Sequence, residues 1–209
     1  MKKITIAFVS ASVLALAGCA QTYSAADYDK MANDVIKAGF AAKGIAKIDR
    51  LNQDETNKAC SAAEMAGKDL DPAVRKTLEA ANLKTVKYPA DGKFLGDWKK
   101  GEKIAQDGRG STWSDKADRP NGGNCYNCHQ ISKQEISYGT LGPSLYNYGA
   151  LRGYGDDIVK YTWAKIYNAK AFNACTNMPR FGHANLLTEA QMKDIMALLL
   201  DPNSPVNQK

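Results

Sequence analysis

The stretch Gly123-Asn124-Cys125-Tyr126-Asn127-Cys128-His129 decides the reading of this chain. Two thiols three positions apart reach the two vinyl groups of one haem, and the histidine that follows is then held beneath the iron as its proximal ligand. A Cys-x-x-Cys pair alone also serves zinc and thiol redox sites. Here His129 follows directly, no second such pair supplies further ligands, and the chain opens with an export signal. Together these favour one covalently attached haem c on Cys125 and Cys128, with His129 on the iron.

The export signal is read from Lys2 and Lys3, followed by an apolar run over residues 4–16 that is short for a membrane span. Leu16-Ala17-Gly18-Cys19 resembles a lipobox, so residues 1–18 are expected to be cleaved and Cys19 to carry lipid. Ordinary cleavage after Ala17 or Ala20 is the rival. Either way the chain is expected in the periplasm, with membrane anchoring through Cys19 in the first case.

Five cysteines are present. Cys19 belongs to the signal and two belong to the haem motif, which leaves Cys60 and Cys175. An oxidising compartment favours pairing them, closing a loop of more than a hundred residues that stabilises by about a few kcal/mol. Two separate thiols are the alternative.

The 209 residues carry a net charge of +6, spread as single lysines and arginines. No basic run is interleaved with aromatics, so no nucleic-acid partner is expected. A mildly basic surface suits a steered encounter with an acidic protein and equally suits plain solubility.

Helical signals run along the chain. Residues 26–43 place Met31, Val35, Ile36 and Phe40 towards one side. Asp71-Pro72 reads as an N-cap and first helical position, opening a helix to about Leu83. Residues 96–106 and 156–170 read as helices, the second with Asp156 and Asp157 at its positive end. Thr188 and Gln191 have capping-box spacing before Met192, Ile195, Met196 and Leu199, and Pro202 follows the end. Residues 107–124 read as a loop. No run alternates as a strand would. The expected organisation is a helical extension over residues 20–90 before a haem domain over residues 91–209, all-α throughout.

Met178 is the preferred second axial ligand: it lies about fifty residues past the motif, just before the capped last helix, and Pro179 stiffens its loop. His/Met ligation is the electron-transfer pattern and raises the reduction potential. Only two histidines exist, so His183 is the other protein route, and an open site is the third. Met31, Met65, Met192 and Met196 fit helix faces. Gly142-Pro143 is a rigid turn whose carbonyl suits the His129 ring N–H. Arg152 and Arg180 suit either haem propionates or solvent.

Gly123-Asn124-Cys125-x-x-Cys128-His129, Gly139-Thr140-Leu141-Gly142-Pro143-Ser144-Leu145, Tyr148-Gly149, Leu151-Arg152-Gly153, and Cys175-x-Asn177-Met178-Pro179-Arg180-Phe181-Gly182-His183 together resemble SoxX, the monohaem subunit of the SoxAX cytochrome. The resemblance spans most of residues 93–207. It implies a class I cytochrome c fold with terminal helices crossing beside the haem, and His129 and Met178 as axial ligands. It also implies three partners: a SoxA-like cytochrome subunit in a heterodimer, a SoxYZ-like carrier whose cysteine is coupled oxidatively to thiosulfate, and a downstream electron-acceptor cytochrome. Sulfur chemistry is then expected on the SoxA-like subunit, and no catalytic residue on this chain. A free-standing periplasmic electron carrier with another donor and acceptor is the alternative.

Overall fold

A computed structural model describes residues 22–208. The export signal and Cys19 lie outside the described residues. The described residues divide into two compact units, up to residue 41 and from residue 42 on. In the first, helix α1 (Ala25–Gly39) starts at a capping box, with the Asp27 N–H donating to Ser24 Oγ at 3.2 Å and the Ser24 N–H to Asp27 Oδ2 at 2.9 Å. It stops four residues before the expected end, where Phe40 turns to extended backbone.

The second unit holds α2 (Glu55–Met65), α3 (Pro72–Leu83), α4 (Trp98–Gln106), α5 (Tyr148–Arg152), α6 (Asp156–Tyr167) and α7 (Glu189–Leu200), with 3-10 turns at Ile48–Leu51, Cys125–Asn127 and Ala169–Ala171. Among the described residues there is no β-strand, only an isolated bridge between Lys43 and Ala46, and no helix long and apolar enough to cross a membrane. The fold is all-α, as expected from the helical periodicities.

Capping chemistry fixes several helix starts. Asp71 Oδ1 accepts from the N–H groups of Ala73 and Val74 at 2.9 and 3.1 Å, with Pro72 at the first helical position. The box at Thr188 and Gln191 opens α7. Helix α6 ends three residues early because Asn168 leaves helical geometry and turns its amide into a polar network.

The main core is built on α7, where Met192, Ile195, Met196 and residues 197–200 are buried. Its most extensive packing is against α4. The two helices approach so closely that a Cβ at Gly101 would collide with the Asp194 carbonyl and press on Leu198 Cβ. Trp163 of α6, 1% exposed, meets Phe94 edge-on at 5.6 Å and donates its Nε1–H to the Lys87 carbonyl at 2.8 Å. Met192 and Met196 are core residues, whereas Met65, expected to pack on a helix face, is 84% exposed.

Helices α2 and α3 join the same unit. Ala63, Leu70 and Leu78 form a small second core with Ala174. Beside it runs a buried polar network. Asn82 Nδ2 donates to Thr56 Oγ1 at 3.0 Å, and Asn168 Nδ2 donates to Asn82 Oδ1 at 3.0 Å and Thr85 Oγ1 at 2.9 Å. Every buried side-chain polar atom among the described residues has a partner, so the network avoids the desolvation penalty of unpaired amides.

Replacing glycine by alanine within an exposed helix ordinarily stabilises by roughly 0.5–1 kcal/mol. At Gly101 the sign is expected to reverse, because the added methyl meets a backbone carbonyl. Gly101→Ala should destabilise by about 1–3 kcal/mol, measured by thermal unfolding; a variant as stable as the parent would contradict the contact.

Candidate functional site

The haem-type motif hangs from the end of α4. The Gly123 N–H donates to the Ile104 carbonyl at 2.8 Å and the Asn124 N–H to the Asp107 carbonyl at 3.0 Å. Asn124 sits in the left-handed region at φ 50°, and from there the chain enters the 3-10 turn Cys125–Asn127. Asparagine tolerates that geometry better than most residues. The N–H groups of Cys128 and His129 both donate to the Cys125 carbonyl, at 3.1 and 3.0 Å. One tight turn therefore presents both thiols and the imidazole together.

A second segment runs alongside the motif. The N–H groups of Gly139, Gly142 and Leu145 each donate at 2.8 Å, to the carbonyls of Tyr126, Cys128 and Gln130. This brings Gly142 beneath the His129 ring, where a Cβ would collide with all three of Cε1, Nδ1 and Nε2. The next residue, Pro143, accepts from His129 Nδ1 at 2.7 Å. A carbonyl only accepts, so Nδ1 carries the hydrogen and Nε2 is the bare nitrogen, the form that binds a metal.

Tyr126, between the two cysteines, is 5% exposed, and its hydroxyl lies 2.9 Å from both Glu102 carboxylate oxygens and 2.8 Å from Ser132 Oγ. Burial and the neighbouring Glu102 charge push its ionisation well above the ordinary phenol range. The motif is thus pinned to α4 by a neutral phenol as well as by backbone. Periodicity in the sequence carries no trace of this pin.

Cys125 and Cys128 take part in no disulfide. Burial, with smaller effects from Cys128 and Glu102, pushes the Cys125 thiol up to about 12. No group of three or more His, Cys, Asp or Glu residues stands ready for a metal among the described residues. The donor set fits a haem instead: two thiols on one turn, one imidazole nitrogen facing away from its hydrogen-bonded partner, and exposed apolar surface beside it at Leu141, 89% exposed.

Met178 is half-buried and packs against the same core as Cys125, Leu145 and Tyr167. Its N–H donates to Thr176 Oγ1 at 3.1 Å. Three residues earlier, Cys175 is bonded to Cys60 of α2. Two residues later, Arg180 Nη1 pairs with Asp54 at 2.6 Å. Burial raises the Asp54 carboxyl, but hydrogen bonds from Asn57 and Arg180, with the charge of Arg180, bring it net below the ordinary carboxylate range. Arg180 is therefore engaged with protein, not solvent.

Arg152 closes α5, with its guanidinium 5.3 Å from the Tyr148 ring centre and 5.9 Å from that of Tyr161. His183 is exposed, its N–H bound to the Tyr167 carbonyl at 3.0 Å. Partial burial, then Arg180, depress its ionisation and keep the imidazole neutral to lower pH.

The tight fit at Gly142 gives a direct test. Gly142→Ala should displace the His129 ring and break the Pro143 hydrogen bond. The expected result is a protein that matures with haem at a yield reduced roughly 10- to 100-fold, read by haem-stained gels against total chain. Undiminished haem content would show that His129 does not depend on this cradle.

Residues 99–201 match the cytochrome c family. Over 162 residues the chain is 39% identical to an uncharacterized lipoprotein of Aquifex aeolicus (strain VF5), an alignment that covers 75% of this chain and 73% of that relative.

Proposed function

Because the chain belongs to the cytochrome c family, we propose that Cys125 and Cys128 hold its haem, with His129 and Met178 as the axial ligands. Membership brings a covalently bound haem c, a class I all-α domain and single-electron transfer. The bound haem supplies a one-electron couple; the chain's own residues set its surroundings. Pro143 accepts from His129 Nδ1 and so fixes the ring orientation and selects Nε2 as the nitrogen available to the iron. Tyr126 and Glu102 hold the attachment turn on α4. Met178 presents a soft thioether that favours the reduced form and raises the potential.

The reading that fits the ordered motifs best is the electron-accepting subunit of a SoxAX-type complex. A carrier-protein thiol and thiosulfate join as a new sulfur–sulfur bond, releasing one proton and two electrons. A SoxA-like partner conducts that coupling at its own haem. This chain takes the electrons singly and passes them to an acceptor cytochrome. The observation that carries the reading is the run of motifs over residues 123–129, 139–145, 148–153 and 175–183 in one order along the chain.

A lipid on Cys19 would tether this relay to the membrane, so that it works at the periplasmic surface. The lipobox-like residues 16–19 support this, as does a relative itself called a lipoprotein.

Met178→Ala is expected to lower the reduction potential by on the order of 0.1 V, a fraction of the roughly 0.8 V that axial ligands span, and to abolish the far-red methionine–iron band. The physiological role is tested by pulling down the tagged mature protein from cells growing on thiosulfate. A stoichiometric second cytochrome that, with its carrier, reduces this haem on thiosulfate addition is the expected result. A lone monohaem protein that no partner reduces would leave a free-standing electron carrier.

A further inference from the structure

The segment on both sides of Met178 is held by residues 54–85 at four successive points. Asn168 is fully buried and donates to Asn82 and Thr85. The Ala174 N–H donates to Glu79 Oε1 at 3.2 Å. Cys175 is bonded to Cys60. Arg180 pairs with Asp54, whose other carboxylate oxygen caps α2 through the Asn57 N–H at 2.8 Å. The last two anchors come from one helix, α2, and bracket Met178 on both sides within three residues.

Between these anchors the chain has little structure of its own. Residues 173–188 contain turns but no helix, and Pro179 donates no hydrogen bond. The one hydrogen bond at the Met178 backbone N–H is local, to Thr176. A loop of this kind opens at little cost unless its ends are fixed. The two α2 anchors fix it on either side of Met178.

We propose that α2 is a clamp on the axial-methionine loop, and that Cys60, Cys175, Asp54 and Arg180 are positioning residues that hold Met178 against the iron. This rests on Met178 being the ligand. Half of the clamp is open to reduction: Cys175 is exposed and Cys60 half-buried. Cleaving the disulfide takes two electrons from an external dithiol, which also supplies the two protons, or from a phosphine, with water supplying the two protons and the oxygen of the phosphine oxide; it yields two thiols and leaves the ion pair as the remaining α2 anchor.

Carbon monoxide binds ferrous iron only after the methionine has left, so its binding rate reads loop opening directly. The experiment uses the full-length haem-loaded protein. Three forms are compared with the parent: phosphine-reduced protein with two alkylatable thiols, Asp54→Asn, which keeps the helix cap but loses the charge pair, and Met178→Ala. Circular dichroism and melting confirm that each is folded at the assay temperature, and no form needs to refold without its disulfide. The expected result is binding about 10- to 100-fold faster for the first two, approaching the rate of Met178→Ala. A merely structural role would lower the melting temperature and leave the rate alone. Rates within twofold of the parent for both, with Met178→Ala fast, would overturn the clamp. A Met178→Ala protein no faster than the parent would remove Met178 as ligand, and the clamp would fall with that reading.

Discussion

The close approach of α4 to α7 at Gly101 is the contact on which the rest of the molecule depends. Without a side chain there, the two backbones meet at the Asp194 carbonyl, and the apolar face of α7 is sealed by α4 rather than by solvent. The attachment turn and the end of the Met178 loop are both tied to these two helices. The attachment turn hangs from the end of α4 through Ile104, Asp107 and Glu102. The Met178 loop runs directly into the capped start of α7. A crossing fixed at one point thus sets where both the attachment turn and the Met178 loop begin. The energetic source is ordinary burial of α7's leucines, isoleucine and methionines, about 1.5–3 kcal/mol for each large side chain.

The second constraint is polar. Asn82, Asn168 and Thr56 are almost wholly buried, in a place where a leucine and two alanines would pack at less risk. Amide groups in such surroundings are costly unless every donor and acceptor is met, and then they specify one arrangement. Here they fix the register between α3 and the 3-10 turn Ala169–Ala171. The small apolar cluster around Ala174 permits sliding; the network does not. Cys60 and Cys175 lie in bonding range in that register, so the disulfide and the network support the same arrangement.

What the sequence reveals, and what it hides, divides along the same line. Signals written within a few residues were legible: the Cys-x-x-Cys-His turn, Asp71-Pro72, the Thr188–Gln191 box, and Gly142-Pro143 near His129. Helix α2 was not. Its buried side is made of Thr56, Ala63 and half-buried Ala59 and Cys60, small or polar residues that make no apolar stripe, and only Asp54 as an N-cap marks its start. Helix α5 begins at a left-handed Asn147 and lasts five residues, too short for any periodicity. Tyr126, Asn168 and Arg180 gained their roles from partners 24, 86 and 126 positions away. No local pattern encodes such a partner; only the closed fold supplies it.

That division bears on how the chain manages a single electron. A carrier works fastest when the surroundings of its centre are already arranged for both charge states, so that little moves on transfer. The His129 side achieves this locally, through a turn, a proline carbonyl and a glycine that admits the ring. The Met178 side has no such local support, since its loop is irregular and proline-containing. Rigidity there has to be imported, and the region over residues 54–88 is the element that supplies it, through one covalent bond, one ion pair and a buried amide network. A segment without a haem-binding motif in the sequence is, in the folded chain, what holds the Met178 loop on both sides.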